Sequence, residues 1–252
     1  MVEKILITST GRTATRSLAD FCNAIEGVVC YHEKHRNDVQ LLFISQLPQY
    51  STLVKECLTK RMSEMDKAAG SHYVEVNPYF RFVDNDLLKG MGWKKIGIIR
   101  HPKTYLESVF ERPLFTKYDV LLNQFPSNSD PASEKWTHWS RFQKLCWYYA
   151  SANNFLLQSG IPIFQFEKLV NQDAQVKELL TLMNIDITNV SNFNLPKRNS
   201  SARFSSTKQL KQLFGNDTFR PEQLDWKTLS SAEKQTYTEY CQPIIKQVYG
   251  DI

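Results

Sequence analysis

The chain has 252 residues, of which 42% are hydrophobic and 23% charged, proportions of an ordinary globular protein that exclude a disordered or fibrous class. A chain this long buries roughly three quarters of its unfolded surface, so one α/β domain spanning residues 1–252 is expected. The net charge of +5 is mild, and its basic residues are scattered among acidic ones, which argues against nucleic acid as a partner and for small anionic ligands.

Five cysteines (Cys22, Cys30, Cys57, Cys146 and Cys241) lie far apart with no Cys-x-x-Cys pair, the pattern of reduced thiols in a cytoplasmic protein without a zinc site. No apolar run reaches the ~18 residues of a membrane span, and the first strand begins too early for a signal peptide to precede it. There are no internal repeats, and the oligomeric state is left open.

In chain order, the apolar run Ile5 to Thr8 reads as a buried parallel strand. The stretch Ser9-Thr10-Gly11-Arg12-Thr13-Ala14-Thr15-Arg16-Ser17 follows at once and leads into a helix that Gly27 stops. Small, hydroxylated and basic residues between a strand and a helix form an anion cradle, because backbone N–H groups, hydroxyls and the helix dipole converge there. The Gly-x-x-x-x-Gly-Lys-[Ser/Thr] spacing of a nucleoside-triphosphate loop is missing, which argues against ordinary NTP hydrolysis.

Val28 to Tyr31 gives a second strand, ending in the titratable cluster His32-Glu33-Lys34-His35. In open α/β sheets ligands sit at that edge, so His32 and Glu33 are candidates for a general base. Helices are expected over 41–47 and 52–69, a third strand at Tyr73 to Val76, a helix through Phe82 and Leu88, and a fourth strand at Lys95 to Ile99. Arg100-His101-Pro102 then opens a helix in which Ser108 lies two turns on. Residues 112–133 read as a long loop and a candidate lid. A single aromatic-rich helix is expected over 134–158, mostly core, followed by a fifth strand, a helix, the basic loop Lys197-Arg198 and a closing helix from Ser231. The alternation predicts a three-layer α/β fold: a central parallel sheet of about five strands flanked by helices, with the phosphate-binding strand-loop-helix at its N-terminus.

Two anion-binding elements thus stand at two strand ends, Thr10 to Ser17 and Arg100 with Ser108. In this respect the chain resembles sulfotransferases that use 3′-phosphoadenosine 5′-phosphosulfate (PAPS). Their 5′-phosphosulfate loop, a basic residue followed by Ser/Thr-Gly-Thr, is matched by Arg12-Thr13-Ala14-Thr15; their 3′-phosphate motif, Arg with Ser eight residues on, is matched by Arg100 and Ser108. Ala14 departs from the family's glycine, a restriction if a positive φ is needed there, and Arg12 stands where many members carry Lys.

The resemblance implies a transfer of a sulfuryl group from PAPS to a hydroxyl of a small-molecule or carbohydrate acceptor, with 3′-phosphoadenosine 5′-phosphate (PAP) as product and no metal. It assigns Arg12 to the leaving group, His32 or Glu33 to the base, and Lys197 and Arg198 to completing the 3′-phosphate site. A kinase-like P-loop protein and a non-catalytic nucleotide-binding module of the same fold are the alternatives.

Overall fold

A computed structural model describes residues 2–119, 124–188, 190–196 and 219–250. Its centre is a five-stranded sheet in the order β2-β3-β1-β4-β5, formed by β1 (Glu3–Ser9), β2 (Val28–His32), β3 (His72–Val76), β4 (Trp93–Ile99) and β5 (Ile163–Gln165). All four pairings are parallel, as the near-continuous apolar runs require of strands covered on both faces. The α-helices of the described residues are α1 (Thr15–Cys22), α2 (Leu41–Ile44), α3 (Ser51–Met65), α4 (Asn85–Gly90), α5 (Pro102–Phe110), α6 (Ala132–Lys135), α7 (Arg141–Gln158), α8 (Phe166–Asn171), α9 (Asp173–Leu182) and α10 (Ser231–Tyr249).

Alternate residues of β1 point to opposite layers. Ile5 and Ile7 join Leu18 and Phe21 of α1 and Leu179 of α9 in one core, whereas Leu6 joins Leu58 of α3 and Leu88 of α4 in another. The second face continues past Ile99 into the aromatic surface of α7, where Phe142, Trp147, Tyr148 and Tyr149 are buried against α5 and α10. The three-layer architecture read from the sequence is present.

Several helix boundaries differ from the periodic reading, each for a local reason. The aromatic stretch is two helices, not one over 134–158. The chain restarts at Ser140, whose hydroxyl caps the Gln143 N–H while the Gln143 side chain accepts from the Ser140 N–H. The helix expected from Phe82 begins at Asn85, because Asp84 Oδ1 accepts from Leu87 N at 2.7 Å and fixes the start there. The helix expected over 41–47 keeps only Leu41–Ile44. The described parts of 112–133 are tied to α7: Arg141 donates to the carbonyls of Leu114 and Arg112, Gln124 to Ser151, and Trp147 Nε1 to Asp130.

The strand order decides where a ligand can sit. β1 leads outward to β2, the chain returns to β3 beside β1, and β4 then adds on β1's other side. The carboxyl ends of β1 and β4 therefore flank the point of reversal, where open sheets leave a crevice.

Candidate anion-binding crevice

Three of the five residues between β1 and α1 have left-handed backbones: Gly11 (φ 82), Arg12 (φ 59) and Ala14 (φ 51). Glycine adopts this freely, while Arg and Ala each give up about 1–2 kcal/mol. Turns of this kind form anion-binding concavities where successive backbone N–H groups stay unpaired. The loop is braced from beneath, with Ser9 Oγ accepting from Gly11 N at 3.0 Å and from Thr13 Oγ1 at 2.8 Å. Ala14 is also the N-cap of α1 and supplies no side-chain cap, so no side chain of the cap residue competes for the first-turn N–H groups. The positive φ that would favour glycine is thus present at Ala14.

Of the other loop residues, Thr10, Thr13 and Ser17 are buried, Thr15 opens the helix, and Arg16 is exposed. Arg12 turns toward the second element, its Nε donating to Ser108 Oγ at 3.0 Å. Arg100, at the end of β4, donates from Nη1 to the Arg12 carbonyl at 2.8 Å and from Nε to Thr104 Oγ1 at 3.0 Å, with its guanidinium 4.8 Å from the Phe166 ring centre. Two stretches nearly ninety residues apart thus meet. Burial, then the charges of Arg112 and Arg100, push the Arg12 pKa down to about 10, and burial likewise lowers that of Arg100. Neither Arg12 nor Arg100 makes an ion pair among the described residues. Crowded, partly desolvated guanidiniums of this kind are stabilised by an anion.

The β4 end is held from behind. Pro102 is the first residue of α5, and His101 is its N-cap, Nδ1 accepting from Lys103 N. Glu167 accepts from His101 N at 3.0 Å, Thr104 Oγ1 at 3.1 Å and Tyr249 Oη at 2.8 Å, and Tyr149 Oη donates to the Arg100 carbonyl at 2.7 Å.

At the end of β2, His32 Nε2 lies 2.9 Å from Thr15 Oγ1 and 3.5 Å from Glu33 Oε1. The first residue of α1 thereby joins the loop after β1 to His32. Burial lowers the His32 pKa from 6.5, with Arg16 adding to the effect; burial raises that of Glu33 from 4.5, against the pull of Arg16. Glu33 also has a positive φ of 46, so its backbone is strained where the chain turns out of the sheet.

Glu75 and Asn77, which end β3, belong to a different unit. Arg61 of α3 spans Glu75, at 3.1 and 3.2 Å, and Asp38, while Asn77 Nδ2 donates to both carboxylates at 2.9 Å. Burial raises the Glu75 pKa, opposed by Arg61. This is a closed structural network.

Arg81 and Tyr148 were not singled out in the sequence. Arg81 is 2% exposed, and its Nη2 donates to Tyr148 Oη at 2.6 Å and its Nη1 to the Pro78 carbonyl at 3.0 Å. Burial, and then the charge of Glu33, raises the pKa of neighbouring Tyr79. The usable signal was a basic residue four positions beyond the Asn77-Pro78 strand end. Lys197 and Arg198 lie outside the described residues.

No protein-family model matches the chain, and no curated protein sequence matches it. Among solved structures it is similar to a sulfotransferase from Alicyclobacillus acidocaldarius, at 12% identity over 100% of this chain and 98% of that one, with a TM-score of 0.49. It is also similar to the mouse sulfotransferase SULT7A1 complexed with PAP, at 12% identity over 95% and 85% of the two chains, with a TM-score of 0.42.

Proposed function

We propose that the chain is a PAPS-dependent sulfotransferase that moves a sulfuryl group to a hydroxyl of a small-molecule or carbohydrate acceptor. One observation carries the reading: the cradle after β1 and the arginine after β4 meet through Arg12–Ser108 and Arg100–Arg12 hydrogen bonds. A nucleotide with separated anionic groups at its two ends suits that pair of sites.

The residues fit such a donor. The loop at Arg12 and Ala14 and the start of α1 hold its 5′ end, and Arg100 with Ser108 holds its 3′-phosphate. Ser108 Oγ accepts from Arg12 and keeps its own proton for a ligand oxygen. The donor, when bound, supplies the activated sulfuryl group and a bisphosphate leaving group. Arg12, with its charge fixed in place before reaction, meets the charge that builds on the departing oxygen. Burial keeps the His32 imidazole neutral near pH 7, so its Nε2, oriented by Thr15, can take the proton of the acceptor hydroxyl; Glu33 stands beside it in the same capacity.

Titration calorimetry with PAP and with ATP tests the reading. PAP is expected to bind and ATP to bind more weakly. Binding of ATP without PAP would overturn it, and PAP binding with no sulfation across a broad acceptor panel would mark a binding module of the same fold.

A further inference from the structure

A second concavity, of about 480 Å3, opens between the end of α2, the segment at Asp130 and the outer stripe of α7, a volume within the roughly 300–1,000 Å3 of small-molecule sites. α7 contributes Trp147, Ser151, Asn154, Phe155 and Gln158 to it, residues spaced at three and four so that they share one helix face. Ser45, Gln46 and Phe82 face them.

The chemistry of this lining is selective. Among the described residues its lining holds no lysine or arginine. The one carboxylate among the described lining residues, Asp130, is engaged by Trp147 Nε1 and Ala132 N, each at 2.8 Å. The remaining polar groups are amides and hydroxyls. Ser45 Oγ is buried with no hydrogen-bond partner among the described residues, and Ser151 Oγ accepts from Gln124 at 2.7 Å and so has its proton to give. Aromatic surface is supplied by Trp147 and by the edge-to-face pair of Phe82 and Phe155. Amides and hydroxyls around aromatic faces match a ligand with neutral hydroxyl rims and apolar C–H faces, which is a sugar ring.

Tyr79 packs in the same cluster as Phe82 and Phe155, behind the aromatic wall of the cavity. We infer that this cavity is a binding site for a neutral carbohydrate.

The test is saturation-transfer NMR of the full chain, with PAP present, against cellotetraose, maltotetraose and chitotetraose, and against tetragalacturonate as an acidic counterpart. At least one neutral tetrasaccharide binds at millimolar or lower concentration and tetragalacturonate binds more weakly. The double variant Asn154→Ala, Gln158→Ala, at two exposed helix positions where Ala keeps the helix, binds the sugar at least tenfold more weakly while its PAP isotherm is unchanged. Binding of none of the neutral sugars, tighter binding of tetragalacturonate, or an unaltered double variant would each overturn the inference. PAP binding without sugar binding fails the cavity alone; sugar binding without PAP binding fails the transferase reading and leaves the cavity a carbohydrate site.

Discussion

At the end of β3, Arg61 is surrounded by Glu75 and Asp38, with Asn77 bridging the two carboxylates; at the ends of β1 and β4, Arg12 and Arg100 are held by a serine hydroxyl, a threonine hydroxyl and a backbone carbonyl. Both regions place guanidinium groups at the same edge of one sheet. In the first, the countercharge is built into the chain, so the unit is complete and serves the fold. In the second, the hydrogen-bond partners are neutral, so the charge has no counterion among the described residues. A basic residue at a strand end is therefore informative about binding only once its counterions are known.

The sharpest way to break this contrast is Arg61→Ala. It would leave two buried carboxylates without their cation and is expected to cost about 3–5 kcal/mol of stability, read as a lower midpoint in urea denaturation; a loss below about 1 kcal/mol would remove the distinction between the regions. Arg100→Ala should do the reverse. It is expected to weaken PAP binding by about 1.5–3 kcal/mol, the usual loss of a charged hydrogen bond, and to shift the urea midpoint far less than Arg61→Ala. An unchanged PAP dissociation constant would remove Arg100 from the site.

The smallest expected effect concerns pH. Burial holds the His32 pKa below its ordinary 6.5 and the Glu33 pKa above its ordinary 4.5, so kcat/KM should fall on the acid side as the base takes up a proton. The Arg16 charge lowers the pKa of both groups. Arg16→Ala should therefore move the acid limb to higher pH, by a fraction of a unit because Arg16 is exposed. Titration of the His32 imidazole resonances checks the same shift without activity, and coincident curves for the two proteins would show that Arg16 does not act on this pair.

Particular residues show how far the sequence could be read. Pro102 after Arg100-His101 marked the start of α5 to the residue, because proline's missing N–H and fixed φ suit that position. The closing helix was expected from Ser231 and begins there, with Ser230 as its N-cap and Glu233 completing the capping box. The restart at Ser140 was hidden, since the aromatic run before it carries a helical pattern. Arg61, in the middle of an amphipathic helix, gave no local sign that it would be buried against Asp38 and Glu75.

What the sequence by itself determined is the set of strands, most of the helices and the two strand-end motifs, because periodicity, capping and loop chemistry act over a few neighbouring residues. The tertiary structure alone decided the order β2-β3-β1-β4-β5, and with it which strand ends became neighbours. That order puts Arg12 on Ser108, Arg100 on the Arg12 carbonyl and Thr15 on His32, contacts between distant segments that no local pattern encodes. The positive φ of Ala14 belongs to the same category: an alanine takes a backbone that disfavours it only because the surrounding loop, braced on Ser9, leaves it no other.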